Sequence, residues 1–197
     1  MTTVDEAPGW SAIEAALAGV TGDVAPLHWG TNNLPDQDGI YGMNAYALDG
    51  YWLLLTLGLS ELFSKVSDDP YVSGWGIELT MRVPRADGIE APPQWALNLL
   101  NKLGDYVYQS GRVVGAGHRM NPGGPITGSP GTQLTGLVFA ADPQVPEVST
   151  PFGGVALIAV VGVTAEELAA AEQDEDASGV IAALTEHDPL LITDPAR

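Results

Sequence analysis

The segment SGWGIELTMRVPR, residues 73–85, constrains the fold more than any other part of the chain. Ile77, Leu79, Met81 and Val83 alternate with Glu78, Thr80 and Arg82, and a period of two places the first set on one side of a strand and the second on the other. The pattern predicts a half-buried β-strand whose apolar side packs on a helix. Glu78 and Arg82 lie four positions apart, roughly 13 Å along an extended chain, so they cannot pair with each other. Each must find its partner on a neighbouring strand or on another molecule.

The rest of the chain supplies strands and helices in an order without repeats. Ser11 and Glu14 have capping-box spacing and predict a helix over about 12–19, ending before Gly22. PLHWGT (26–31), IYGMNAYAL (40–48) and YWLLLTLG (51–58) read as strands, the last apolar throughout, as a central strand would be. SELFSKV (60–66) reads as a short helical turn. After Pro92 and Pro93, the residues Ala96, Leu99, Leu100, Leu103 and Val107 repeat at helical spacing, which predicts the main core helix, stopping at Gly111. LTGLVFAAD (134–142) and VALIAVVGV (155–163) read as strands flanking the turn STPFGG. TAEELAAAE reads as a helix whose Thr164 and Glu167 repeat the capping box, SGVIAALTEH adds a short helix, and PLLITD a final strand. This order predicts an α+β domain, a mixed β-sheet packed by helices, over residues 25–197, preceded by an N-terminal segment, residues 1–24, that carries the first helix.

Residues 111–133 hold seven glycines and three prolines, a composition that rules out a helix or a long strand and marks a functional or mobile loop. The chemistry-bearing motifs are sparse. No Gly-Lys-Ser/Thr follows the glycines, so a phosphate loop is not supported, and no G-x-S-x-G elbow is present. His28, His118 and His187 have no ligand spacing and the chain has no cysteine, so no metal or cofactor is expected. Trp29, Trp52, Trp75 and Trp95 fall mostly in apolar-periodic segments and read as core packing rather than a ligand cage. Glu78, Arg82 and His118 remain the polar groups of an enzyme-type alternative.

Charge narrows the partner. Residues 1–64 carry eight acids and no lysine or arginine, residues 142–197 carry eleven acids against Arg197 alone, and the net charge is −18. So negative a field opposes binding to a phosphate backbone, which excludes nucleic acid, and suits either solubility or a basic partner. The N-terminus has acids where a secretory signal has Lys or Arg, and no apolar run approaches the ~20 residues of a membrane span. A cytoplasmic location with no membrane contact is expected.

Several of these segments, in this order, resemble the Suppressor of fused family: LHWGT (27–31), YWLLLTLGLSELF (51–63), SGWGIELTMRVPR (73–85), PPQWALNLLNKLGDYVYQSG (92–111), TPFGGVALIAVVGVTAEEL (150–168) and PLLITD (189–194). The resemblance covers about residues 25–195 and corresponds to that family's N-terminal domain. It implies a Suppressor of fused-like domain, an α+β fold with a mixed sheet and packed helices, and protein binding rather than catalysis. Animal members add a second domain, which this chain, ending at Arg197, is expected to lack, and clamp an extended peptide of a Gli-type transcription factor as an extra strand. Bacterial stand-alone members look like immunity proteins that neutralise a cognate polymorphic toxin by direct contact.

Carried onto this chain, the resemblance places Tyr106 at a peptide-groove tyrosine and His118 at a groove histidine, with Gly117 where animal members have an acid. Tyr106, Arg112, His118 and Arg119 are therefore the candidate partner-binding residues. The expected function is a binding protein, an immunity protein that meets a basic toxin domain. The alternatives are a regulatory adaptor that takes an extended peptide strand, and the enzyme built on Glu78, Arg82 and His118.

Overall fold

The computed structural model describes residues 6–33 and 39–197; the acids Asp5, Asp36 and Asp38 of the N-terminal block lie outside the described residues. Its strands are β1 (Leu27–Gly30), β2 (Gly42–Ala47), β3 (Tyr51–Leu57), β4 (Val72–Pro84), β5 (Arg119–Met120), β6 (Leu134–Ala141), β7 (Glu147–Thr150) and β8 (Gly153–Thr164). Its helices are α1 (Pro8–Thr21), α2 (Gln94–Ser110), α3 (Ala165–Gln173) and α4 (Ser178–His187). Among the described residues the strands form one sheet in the order β1-β2-β3-β4-β8-β6-β5, with β7 also paired to β8. β4 and β8 run parallel at its centre, and the other pairings are antiparallel. This is the expected mixed sheet.

Strand alternation assigns the faces. Leu54, Leu79, Met81, Phe139 and Val160 share one cluster with Leu97, Leu100, Leu103 and Val107, so α2 covers that face. Leu53, Leu55 and Leu157 point the other way, onto Ile13 and Leu17 of α1. Further along this second face, Val138, Ala140, Ala159 and Val161 meet Leu168 and Ala171 of α3, with Val180, Ile181 and Leu184 of α4 packed against them. The sheet is thus covered on both sides. β3 is buried at all seven positions, as its unbroken apolar run requires. Trp52 is buried, and Trp29, Trp75 and Trp95 pack half-buried against the α2-side cluster.

Four local expectations are corrected. β4 is not half-buried, since Glu78, Thr80 and Arg82 are as deeply buried as the apolar set. α1 begins a turn early, at Pro8, whose ring fixes φ for a first helical position, and Ser11 lies inside the helix donating its amide to the Ala7 carbonyl. Residues 60–66 form a bent loop rather than a helical turn, because the Glu61 carboxylate gathers the amides of Val66 and Ser67 and the Lys65 ammonium. The C-terminal PLLITD is not a strand. Leu191 adopts φ 56°, and Thr193 bridges the two central strands beyond the last β4–β8 pair by donating its amide to the Arg82 carbonyl and accepting the Gly162 amide at Oγ1.

Candidate partner-binding site

The polar side of β4 is internal. Arg82 makes a bidentate pair with Asp142 at 2.8 and 3.0 Å and a further bond to the Gln144 side chain, while Thr80 donates to Asp142 Oδ2 at 2.6 Å. Burial acts to raise the Asp142 carboxyl, but hydrogen bonding and attraction from Arg82 outweigh it and hold the group below the usual carboxylate range. Glu78 sits wholly buried two residues before Thr80, its carboxylate accepting from Thr56 Oγ1, the Gly58 and Ser60 amides and Ser60 Oγ. Desolvation pushes it up to about 7 despite those four donors. This polar row separates the α1 cluster from the α3–α4 cluster on the same face.

On the α2 side, one end of the sheet is open. Beyond Phe139, the strand formed by β6 leaves β8 at Asp142 and returns as β7, while the chain before β5 swings away after Gly117 and His118 bond to Phe139. Between them lies a groove of about 560 Å³, lined by Val113, Val114 and His118 on one wall, Pro146 and Glu147 on the other, and Ile77, Ala156 and Ile158 below. β7 pairs only with β8 among the described residues. The Pro146 carbonyl accepts from the Leu157 amide at 3.0 Å, and the Gly154 amide turns to the opposite neighbour at Tyr71. Antiparallel alternation therefore aims the amides and carbonyls of Glu147 and Ser149 away from β8, into open edge.

Of the residues marked from the sequence, His118 alone lines this groove; its Nδ1 accepts the Gly115 amide at 3.1 Å, which leaves Nε2 as the donating nitrogen of the neutral ring. Tyr106 packs half-buried against the core from the last turn of α2, and Arg112 is exposed just beyond that helix. Arg119 reaches the other way, to the Glu175 carbonyl. Gly117 has φ +85°, and a Cβ there would lie 3.2 Å from Asp176 Oδ2, so a carboxylate from the α3–α4 turn lies against the backbone beside His118. Glu78 and Arg82 lie on the opposite face of β4 from Ile77, and the Glu78–Arg82–His118 constellation is not assembled. Sequence reading missed Glu147 and Ser149, whose only signal is the turn STPFGG that folds β7 onto β8.

Fold and site together define a mixed-sheet α+β domain with an open strand edge beside an apolar groove. The chain belongs to the Suppressor of fused family: the family model described as Suppressor of fused protein (SUFU) matches residues 36–197. The human and mouse Suppressor of fused homologues are each 35% identical over 158 residues, 75% of this chain, and the chain spans about a third of their length, 32%. The crystal structure of a Sufu–Fu complex superposes with TM-score 0.88 at 28% identity, covering 98% of this chain and 92% of that one. Drosophila Suppressor of fused gives 0.87 at 27% identity, over 98% of this chain and 51% of that one. A Suppressor of fused homologue from Neisseria gonorrhoeae FA 1090 shares the fold at TM-score 0.59 and 11% identity, over 90% of this chain and 88% of that one.

Proposed function

We propose that this chain is a protein-binding domain that receives an extended segment of its partner as an added strand beside β7. The observation that carries this reading is the unpaired edge at Glu147 and Ser149 directly bordering the apolar groove. Main-chain hydrogen bonds to that edge supply affinity, and alternate side chains of the guest enter the groove between Val114 and Pro146 and supply specificity. A neighbour of the same fold crystallised in complex with Fu supports a protein as the guest. Peptides selected from a random display library should shift the amides of Glu147, Ser149 and Val113–His118 in NMR spectra. Ser149→Pro removes one outward donor without touching the β7–β8 ladder, and should weaken binding about tenfold, the worth of one hydrogen bond of about 1–1.5 kcal/mol. Binding that moves none of these amides and survives Ser149→Pro would overturn the reading.

The charge distribution favours a finer assignment, an immunity protein that occludes a basic toxin domain. Eleven acids after residue 141 face a single Arg197, and Asp176 is exposed on the turn beside the groove wall. Co-expression with a toxin encoded next to this chain should restore growth. If it does not, while strand addition persists, the regulatory-adaptor reading takes its place.

A further inference from the structure

Another cleft, of about 320 Å³, shares no lining residue with the groove. Its walls include four aromatic rings arranged as two corners. Tyr41 and Phe63 meet at 70° with centroids 5.0 Å apart, and Trp75 and Tyr108 meet at 88° with centroids 5.7 Å apart. Leu59 and Leu62 are the buried apolar residues of the lining. Gly74, at φ +57°, lets the backbone approach so closely that a Cβ would lie 2.7 Å from the Leu59 carbonyl oxygen. All four rings are half-buried, and Val66 beside them is 65% exposed. A core would close such rings off completely, whereas here they surround a hollow that solvent reaches.

The electrostatics favour one occupant. Aromatic faces are negative, and rings meeting at right angles offer both faces and edges to a small enclosed group. Glu61, whose carboxylate is shared by the Lys65 ammonium and the Val66 and Ser67 amides, is also a lining residue, and the exposed Asp68 and Asp69 follow directly on lining residue Ser67. The nearby cation, Lys65, is held by Glu61, Ser67 and the Val72 carbonyl and is not part of the lining. We propose that this aromatic cleft is a socket for a single cationic side chain, the guanidinium or ammonium end of an Arg or Lys, presented by a protein partner. The proposal is independent of strand addition at β7, because the two hollows have separate linings.

The test uses the full chain labelled with ¹⁵N and four probes: N-acetyl-arginine amide, N-acetyl-lysine amide, the uncharged N-acetyl-norleucine amide and choline. A cationic probe should shift the Trp75 indole and the Gly58, Ser60 and Gly74 amides saturably, and at least about tenfold more tightly than the norleucine probe. Trp75→Leu and Phe63→Leu should each weaken that binding about fivefold while leaving the groove amides of Val113–His118 in place. If Trp75→Leu fails to fold, Phe63→Leu and the comparison of probes still decide. Equal binding of the norleucine probe would make the cleft a plain apolar socket, and no shift with any probe would make it a packing gap; either overturns the proposal. Choline binding in place of both cationic amides would assign the cleft to a free quaternary ammonium compound and overturn the protein-partner assignment.

Discussion

Arg82 and Asp142, sixty positions apart, meet as a bidentate ion pair with both side chains almost entirely out of water. The pair links β4 to the point where β6 leaves the sheet, since Asp142 Oδ1 also accepts the amides of Gln144 and Val145 that begin the excursion toward β7. The open edge at Glu147 and Ser149 therefore depends on a buried charge. Asp142→Ala leaves the guanidinium uncompensated and should cost about 3–5 kcal/mol in denaturant unfolding, whereas Arg82→Met with Asp142→Leu should cost less than either single change. The Asp142 contribution is present above its unfolded pKa, about 3.9, and is lost as pH falls below that value, because the native carboxyl holds its charge to lower pH.

Glu78 gives the opposite pH dependence. Its native pKa is raised to about 7 from 4.5, so between those values the folded chain retains a proton that the unfolded chain has released. Stability from this group is complete below about pH 4.5 and declines until pH passes 7, by on the order of 3 kcal/mol. Thr56 Oγ1 lies 2.6 Å from Glu78 Oε2 and accepts the Leu79 amide, so it can exchange proton roles with the acid. Glu78→Gln should fold and should flatten the decline across pH 5–7 in paired urea titrations. Parallel curves for the two proteins would rule out Glu78 as the titrating group.

Leu79 tests the strand register directly. It is fully buried in the cluster that α2 covers, so Leu79→Asp places an unpaired charge there and should cost several kcal/mol, enough to unfold a marginal domain. Glu78→Gln, one residue away, should be far milder. A thermal melt that ranks them the other way would contradict the facing of β4.

The contrast between those neighbours shows what was legible in the chain. Period-two alternation identified β4 and its contact with α2, because apolar burial on one face leaves a direct trace in sequence. The burial of Glu78, Thr80 and Arg82 left no such trace, since their partners Ser60, Thr56 and Asp142 come from other strands and loops. Thr164 and Glu167 formed the expected capping box, with Glu167 Oε2 accepting the Thr164 amide at 2.7 Å. Ser11 and Glu14, with the same spacing, did not, because Pro8 starts the helix earlier and Glu14 turns instead to the Asn44 side chain. His118 was marked only through a family resemblance, and the structure sets it on the groove wall. The β7 edge could not be read from the chain, since it exists only where β6 departs from β8.

Limited trypsin digestion should separate the two arginines of the 111–133 loop. Arg112 is exposed next to groove residue Val113, whereas Arg119 lies in β5, paired to Val138 and anchored to the Glu175 carbonyl. Cleavage after Arg112 should precede cleavage after Arg119, and a peptide bound in the groove should slow the first cut severalfold. Faster cutting at Arg119 would show that β5 opens more readily than the segment before it.

The acidic turn between α3 and α4 links charge to the groove. Asp176 lies beside Gly117, its Oδ1 accepting the Ser178 amide at 2.8 Å, and hydrogen bonding to Ser178 lowers its pKa, with a further contribution from Arg119. If the partner is basic, as proposed above, the exposed Glu172, Asp174, Glu175 and Asp176 add to the field it meets at long range, and that attraction should speed encounter more than it slows dissociation. Replacing the four by Gln or Asn removes the charge, while the carboxamide oxygen that Asp176→Asn introduces can still accept the Ser178 amide. In stopped-flow binding of a basic partner, the substitutions should lower the on-rate about tenfold at low ionic strength and leave the off-rate within about twofold. Raising ionic strength should bring the parent protein's on-rate toward that of the substituted protein, because salt screens the attraction the substitutions remove. An unchanged on-rate with unchanged salt dependence would mean that these acids keep the domain in solution and take no part in capture.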